Sequence, residues 1–199
     1  MLKIYNTLTS KKEEFVPLNA PAVHFYMCGP TVYDLFHIGN GRSFIMADVI
    51  RRYLDYRGYA VKFVMNLTDI DDKIIKKSHQ ENRSAAEVAS AYSQAFFDDI
   101  AKLGIKPATV YPRATEHIGD IIGLISRLIE NGVAYESQGD VYYNISRFSG
   151  YGKLSGKNIE ELAAGARVEV SEIKQSPLDF ALWKKAKEGE PFWESPWGK

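Results

Sequence analysis

The sequence predicts an α/β fold built on parallel strands, and three observations carry that prediction. Ala22 to Met27 is a short, nearly continuous apolar run that reads as a strand buried on both faces. A helical pattern follows from Phe44 to Arg57, and a second apolar run, Val61 to Leu67, reads as another strand. Strand, helix and strand within about 45 residues make a βαβ unit, which requires adjacent parallel strands and a right-handed crossover.

Composition supports a folded chain. The 199 residues include 25 Lys+Arg and 25 Asp+Glu, with 45% hydrophobic and 13% aromatic residues. That suits a chain that buries its own core and excludes a disordered one. Zero net charge excludes a uniformly basic surface of the kind that marks nucleic-acid binding by itself, and leaves room for a local patch. The single cysteine, Cys28, excludes an internal disulfide framework and a multi-cysteine metal cluster, and suits a reducing compartment. Residues 1–15 contain no apolar leader, and no run of about 18 apolar residues occurs, so a soluble cytoplasmic protein without a membrane span is expected.

Each element has a local reason. In the first helix Ala47, Ile50 and Leu54 recur at spacings of three and four, and Gly58 supplies a stop. Arg42, Arg51, Arg52 and Arg57 on that helix read as a solvated face. Asp71 to Gln80 is a short helix. Ser84 with Glu87 forms a capping-box pattern that opens a helix to about Leu103. Ile105 to Pro112, with two prolines, reads as a connection. Glu116 to Asn131 is an amphipathic helix with Ile118, Ile121, Ile122, Ile125, Leu128 and Ile129 on its apolar face. Val133–Glu136 and Val141–Ile145 flank Ser-Gln-Gly-Asp as a β-hairpin. Leu178 to Lys185 fits a strand or a short helix. The change of texture divides the chain into 1–112, with the parallel strands, and 113–199, an α+β insertion.

Ligands of an open α/β sheet sit beyond the carboxyl ends of its strands. Two polar segments fall there: Cys28-Gly29-Pro30-Thr31-Val32-Tyr33-Asp34-Leu35-Phe36-His37-Ile38-Gly39-Asn40-Gly41-Arg42, and Asn66-Leu67-Thr68-Asp69-Ile70-Asp71-Asp72. His37 and Asn40 lie just ahead of a helix, where free N–H groups and the dipole favour an anion. Both side chains can donate to a phosphate, which suits stabilising charge in a phosphoryl or adenylyl transition state. The bland alternative is a glycine loop with Asn40 as a helix cap. Cys28 reads as a small buried residue, a nucleophile near His37, or a metal ligand. Asp69, Asp71 and Asp72 fit either Mg²⁺ or the negatively charged start of a helix. Tyr142 to Tyr151, with Arg147, Lys153 and Lys157, mixes rings and cations as an RNA-facing surface does, and equally as a β-rich insertion does.

His37-Ile-Gly-Asn resembles the HIGH signature of class I aminoacyl-tRNA synthetases. The wider strings, Tyr26 to Asp34, His37 to Arg42 and Asn66 to Ile75, are similar to the cysteinyl-tRNA synthetase family, collinearly from about Leu2 to the last residue. The resemblance implies the first half of a synthetase Rossmann (HUP-type) sheet over 1–112 and a connective-peptide insertion over 113–199. It implies a ligase that activates L-cysteine with ATP and transfers it to tRNA(Cys). His37 and Asn40 would be catalytic. Pro30, Thr31, Val32, Tyr33, Asp34, Leu35, Phe36, His37, Ile38, Gly39 and Asn40 would face ATP. Cys28, Gly29 and Thr68 would face cysteine, and Cys28 would be a ligand to zinc, with Mg²⁺ accompanying ATP. A thiolate prefers zinc far more than a serine hydroxyl does, and a purely apolar pocket discriminates poorly between near-isosteres. His24, His79 and His117 do not match the family's other zinc ligands. A monomer is expected.

The family is more than twice this length. A second Rossmann half, the KMSKS loop, the other zinc ligands and an anticodon-binding region are therefore not among these 199 residues, and the chain alone is expected to be inactive. Three alternatives remain open: a related ligase with an aminosugar acceptor, a non-catalytic nucleotide-binding homologue, and an unrelated Mg²⁺-dependent transferase using Asp69, Asp71 and Asp72.

Overall fold

The structure is a computed structural model describing residues 2–156 and 174–199. It contains two compact units, Val16–His117 and a second made of Met1–Phe15 with Ile118–Lys199. Among the described residues no helix is long and apolar enough to cross a membrane.

In the second unit, β1 (Lys3–Asn6) and β2 (Lys11–Glu14) form an antiparallel hairpin. Nearly every residue in it is exposed, so it carries no alternating apolar signal. Its turn is held by Asn6, whose Oδ1 accepts from Leu8 N at 3.0 Å and whose Nδ2 donates to Glu13 Oε2 at 2.9 Å.

The first unit contains the expected βαβ arrangement. β3 (Ala22–Met27) and β4 (Ala60–Met65) pair in parallel, Ala22 opposite Ala60 through Met27 opposite Met65. Between them runs α1 (Ile38–Tyr56), closed by Arg57 and Gly58, the latter at φ +85°. β3 departs from the expectation of burial on both faces: Val23 is buried, but His24 and Tyr26 are exposed. Its period-two alternation sends 24, 26 and 28 to one face and packs only the other.

The sheet has a third parallel row, where the two prolines of Ile105 to Pro112 predict a connection. Met65 N donates to Val110 O at 3.1 Å, Leu67 N to Pro112 O at 2.8 Å, and Thr109 N to Phe63 O at 2.8 Å. Val64–Val110 and Leu67–Arg113 are parallel bridges. Pro112 enters this ladder through its carbonyl, the one backbone group a proline can offer.

That row is pinned from α1, which corrects the expectation of a solvated arginine face. Arg51 is buried; its guanidinium lies over the Phe63 ring, 5.6 Å from the centroid, and its Nη1 donates to the carbonyls of Lys106 and Pro107. Asp48, also buried, accepts from Lys106 N at 3.1 Å and from Arg52 Nε at 2.6 Å. Arg52 also reaches Gly104 O at 2.9 Å. Arg42 and Arg57 are exposed as expected.

α2 (Asp72–Glu81) and α3 (Ala85–Lys102) complete the unit. Asp71 caps α2 by accepting from Lys73 N. Ser84 and Glu87 cap α3 reciprocally, as their spacing predicts. Phe63, Leu67, Ile74 and Val88 are almost wholly removed from water, each contributing about 1.5–3 kcal/mol of transfer free energy. Phe44, Ala47 and Leu54 bury the inner face of α1, while Ile45, Met46, Val49, Ile50 and Tyr53 of the same helix stay exposed.

In the second unit, α4 (Ile118–Glu130) starts after a 3₁₀ turn at Ala114–His117. β5 (Ala134–Ser137), β6 (Asp140–Tyr143) and β7 (Phe180–Trp183) form an antiparallel sheet in that order. The hairpin turn sits on Gln138 and Gly139, both at positive φ, as a tight turn of this kind requires. The choice between strand and helix at 178–185 falls to strand, because Phe180 to Trp183 pairs with β6. Ile125, Ala134 and Val141 form the core, with Ile121, Leu128, Ile129, Leu182, Trp183 and Trp197 packed around it. Asp179, buried, ties the sheet to its neighbouring loops by accepting from Tyr135 Oη at 2.8 Å, Ile145 N at 3.2 Å and Ser176 N at 3.1 Å.

Candidate active site

The two polar segments meet beyond the carboxyl ends of β3 and β4. Backbone bonds lace them together: Thr68 N donates to Pro30 O at 3.0 Å, and Val32 N to Thr68 O at 3.1 Å. Thr31 and Thr68 form a parallel bridge, so the ladder of β3 and β4 continues into both loops. Cys28, Gly29 and Thr68, which the sequence places 40 residues apart, therefore share one strand-end region.

The loop from Pro30 to Phe36 is anchored at several points. Val32 is buried in the core. Tyr33 N donates to Thr31 O, and the Tyr33 ring lies beneath Lys73, 5.6 Å from the ammonium nitrogen. Asp34 accepts from Leu35 N at 2.8 Å and lies 3.8 Å from Lys77 Nζ. Phe36 turns inward, edge-on to Phe44 at 5.4 Å and Phe96 at 6.0 Å. The residues on either side of it, Leu35 and His37, are exposed.

Helix α1 begins at Ile38, six residues before the periodic pattern predicts, because Gly39, Asn40 and Gly41 fill its first turn. Its cap is His37, not Asn40. The His37 Nδ1 accepts from Gly39 N at 3.0 Å. An acceptor at Nδ1 puts the ring proton of a neutral imidazole on Nε2, so the exposed edge of the ring presents a donor. Gly39 is what makes this possible: a Cβ there would lie 2.8 Å from His37 Cε1 and 2.9 Å from Nδ1. Asn40 and Ile38 are exposed on the same first turn, beside the positive end of the helix dipole. An Nε2–H donor, an amide side chain and helix N–H groups together make an anion-receptive surface.

At the other end of the site Cys28 is exposed, 3.7 Å from the Tyr26 hydroxyl. The Cys28 sulfur and partial burial push the Tyr26 phenol above its ordinary range. Two residues outside the expected site set organise this corner, Tyr26 and Asn66. Asn66 Oδ1 accepts from Tyr26 Oη at 2.9 Å and from Gly29 N at 3.0 Å, and Nδ2 donates to Thr68 Oγ1 at 3.2 Å. The available signal was a carboxamide interrupting the apolar run Val61 to Leu67, since a polar side chain between buried neighbours needs partners.

The acidic cluster is not arranged for a cation. Both Asp69 oxygens are used by Thr115, accepting from its N at 3.0 Å and its Oγ1 at 2.6 Å, and Asp71 caps α2. Two of the three acids of the Mg²⁺-transferase alternative are thus committed to bonds within the chain. Cys28 suits a soft metal by its chemistry, yet structural or catalytic zinc takes three or four protein ligands. Among the described residues no three His, Cys, Asp or Glu side chains converge, so the residues present do not by themselves make a zinc site. His24 is exposed on β3 rather than buried, and His79 is exposed on α2.

The tyrosine-rich stretch packs on Tyr135 and Phe180. Tyr142 is buried, and Tyr143 and Tyr151 stack against Phe180 at 5.1 and 6.3 Å. Lys157 lies outside the described residues.

Residues 14–199 match the family described as tRNA synthetases class I (C) catalytic domain. The chain belongs to that family. It is 56% identical over 197 residues to cysteine–tRNA ligase of Carboxydothermus hydrogenoformans and 54% identical over 198 residues to that of Desulfitobacterium hafniense. These alignments cover 99% and 100% of this chain and 42% of each relative, so the chain spans about two fifths of the length of these curated class I relatives. Among solved structures, Mycobacterium tuberculosis methionyl-tRNA synthetase in complex with methionyl-adenylate shares the fold, with a TM-score of 0.51 and 22% identity over 56% of this chain and 23% of that one. A class I synthetase fold accounts for the parallel sheet and for the placing of both polar loops at its carboxyl edge.

Proposed function

We propose that this chain carries the cysteine- and phosphate-facing part of a cysteine–tRNA ligase. The observation that carries the reading is the joint placement of His37 at the cap of α1 and of Cys28, Gly29 and Thr68 at the strand ends, in a chain more than half identical to two such ligases. In the first step a carboxylate oxygen of L-cysteine attacks the α-phosphorus of ATP, and pyrophosphate leaves. In the second, a ribose hydroxyl of the terminal adenosine of tRNA(Cys) attacks the adenylate carbonyl, and AMP leaves. His37 donates from Nε2 and Asn40 from its amide to phosphate oxygens as charge builds on them, with the α1 N-terminus behind them. In the loop Pro30 to Asn40, Val32 and Phe36 are turned into the core and the remaining residues face the nucleotide, while Cys28, Gly29 and Thr68 face cysteine. The Gly29 N–H is already bonded to Asn66, so Gly29 serves by its lack of a side chain.

In this reading Cys28 supplies one thiolate to a zinc ion completed by residues other than those described, and Mg²⁺ accompanies ATP. Residues 1–112 belong to the catalytic Rossmann domain and 113–199 to a connective peptide. The protein acts as a cytoplasmic monomer. The test is cysteine-dependent ATP–pyrophosphate exchange by the intact protein carrying this sequence, followed by acylation of tRNA(Cys) or of an aminosugar. Exchange with cysteine and transfer to tRNA are expected. ATP binding without exchange makes the protein a non-catalytic nucleotide binder, and transfer only to an aminosugar makes it the related ligase; either result overturns the proposal.

A further inference from the structure

We propose that Asn66 is a positioning residue that sets the amino-acid end of the site, acting through Gly29, Tyr26 and Thr68 without touching the substrate. The inference rests on the function proposed above and adds a residue to it. The side chain of Asn66 makes three hydrogen bonds, two to β3 and the loop that continues it and one within its own segment. It accepts from the Gly29 amide at 3.0 Å and the Tyr26 hydroxyl at 2.9 Å, and donates to the Thr68 hydroxyl at 3.2 Å. Gly29 adjoins Cys28, and the Tyr26 hydroxyl lies 3.7 Å from the Cys28 sulfur. One carboxamide thus fixes the backbone beside the thiol, the phenol beside the thiol and the hydroxyl across the strand ends.

Each bond has a chemical consequence. Because Tyr26 Oη–H donates to Asn66, the phenol is held in one orientation beside the Cys28 sulfur. Because Nδ2 donates into one lone pair of Thr68 Oγ1, the hydroxyl keeps its own proton and its other lone pair for a ligand. The Gly29 N–H is consumed internally and holds the turn. The backbone at this point is equally committed, since a Cβ on Gly29 would lie 1.8 Å from the Asn66 carbonyl oxygen. The spacing between thiol and hydroxyl is therefore set by Asn66 on both its main chain and its side chain. A shift of about 1 Å at such a constellation costs about 100-fold in rate, so losing the tie is felt by the amino acid first.

The isosteric variant separates the arms. Asn66→Asp keeps the acceptor for Gly29 N and Tyr26 Oη and removes the donor to Thr68, while Asn66→Ala removes all three bonds. Two measurements are made on each variant: Gly29 amide hydrogen exchange by NMR, and cysteine and ATP KM values with kcat in pyrophosphate exchange by the intact protein. Asn66→Ala is expected to raise the cysteine KM by about 10-fold, the scale of a lost hydrogen bond, with the ATP KM held within about 3-fold and Gly29 protection lost. Asn66→Asp is expected to restore Gly29 protection. An unchanged cysteine KM in Asn66→Ala overturns the role, as does an equal rise in both KM values with a collapse of the melting temperature. If the unaltered protein shows no cysteine-dependent exchange, the proposed function fails and this role fails with it. Normal exchange by Asn66→Ala removes the role alone.

Discussion

Gly29→Ala is the substitution whose cost can be worked most directly from the geometry. The added Cβ would lie 1.8 Å from the Asn66 carbonyl oxygen, 2.9 Å from Met65 Cγ and 3.0 Å from the Asn66 carbonyl carbon. The nearest obstacle is backbone on the adjoining strand, so no rotamer change relieves it. The two strand ends must part by about 1.2 Å to reach even the shortest tolerated contact, an overpacking that costs about 1–3 kcal/mol. Parting them also breaks the bond from Gly29 N to Asn66 Oδ1, worth about 1 kcal/mol. The expected loss is about 2–4 kcal/mol. With a urea dependence of about 2 kcal/mol per molar, the middle of the usual range, the midpoint should fall by about 1–2 M. Far-UV circular dichroism reports both units, whereas Trp183, Trp193 and Trp197 all lie in the second, so the early transition should be visible by dichroism and missing from tryptophan fluorescence. Gly123→Ala on α4 is the control: nothing lies within 4 Å of a Cβ there, and an interior helical alanine should gain about 0.5–1 kcal/mol. A Gly29→Ala chain that unfolds within about 0.5 kcal/mol of the original would refute the packing argument.

Other tests probe separate links. Burial, followed by the bond to Asp140, pushes the Tyr142 phenol up to about 12 from an ordinary value of 10.0. A raised folded pKa means the unfolded chain ionises first, so the stability tied to this group is intact below pH 10 and drains away as pH climbs toward 12. Tyr142→Phe should flatten that part of the melting-temperature profile of the second unit, and an unchanged slope would contradict it. Ser84→Ala removes one half of the α3 capping box and should cost about 1 kcal/mol in denaturant unfolding followed by dichroism. In the intact protein Cys28→Ser should lower both bound zinc, read by elemental analysis, and preference for cysteine over serine; full zinc occupancy would remove Cys28 from the ligand set.

Much of this architecture was legible because it rests on local signals. The capping box at Ser84 and Glu87, the Gln138–Gly139 turn and the periodic face of α4 each carry their reason within a few residues. The third parallel row at 109–113 was not, because Pro107 and Pro112 argue for a loop and the bonds that make it a strand come from β4, more than 40 residues earlier. Arg51 misled for a related reason: a helical arginine reads as solvated until the carbonyls of Lys106 and Pro107 are brought over it by the fold. The start of α1 was hidden by the poor helix propensity of Gly39, Asn40 and Gly41, which the His37 cap overcomes. At the site, the two polar strings could be picked out by eye. That Asn66 joins them could not, because its partners lie on segments that only the parallel pairing brings together.

The most direct measurement of the account is pyrophosphate exchange by the intact protein with His37→Ala. The imidazole is held by Gly39 so that Nε2–H faces outward, and that donor is assigned to the charge that develops on phosphate. Its loss is predicted to slow cysteine-dependent exchange by about 100-fold or more, the scale of removing one preorganised donor, with the fold intact by circular dichroism. Exchange at a near-normal rate would contradict the assignment of this helix end to adenylate formation.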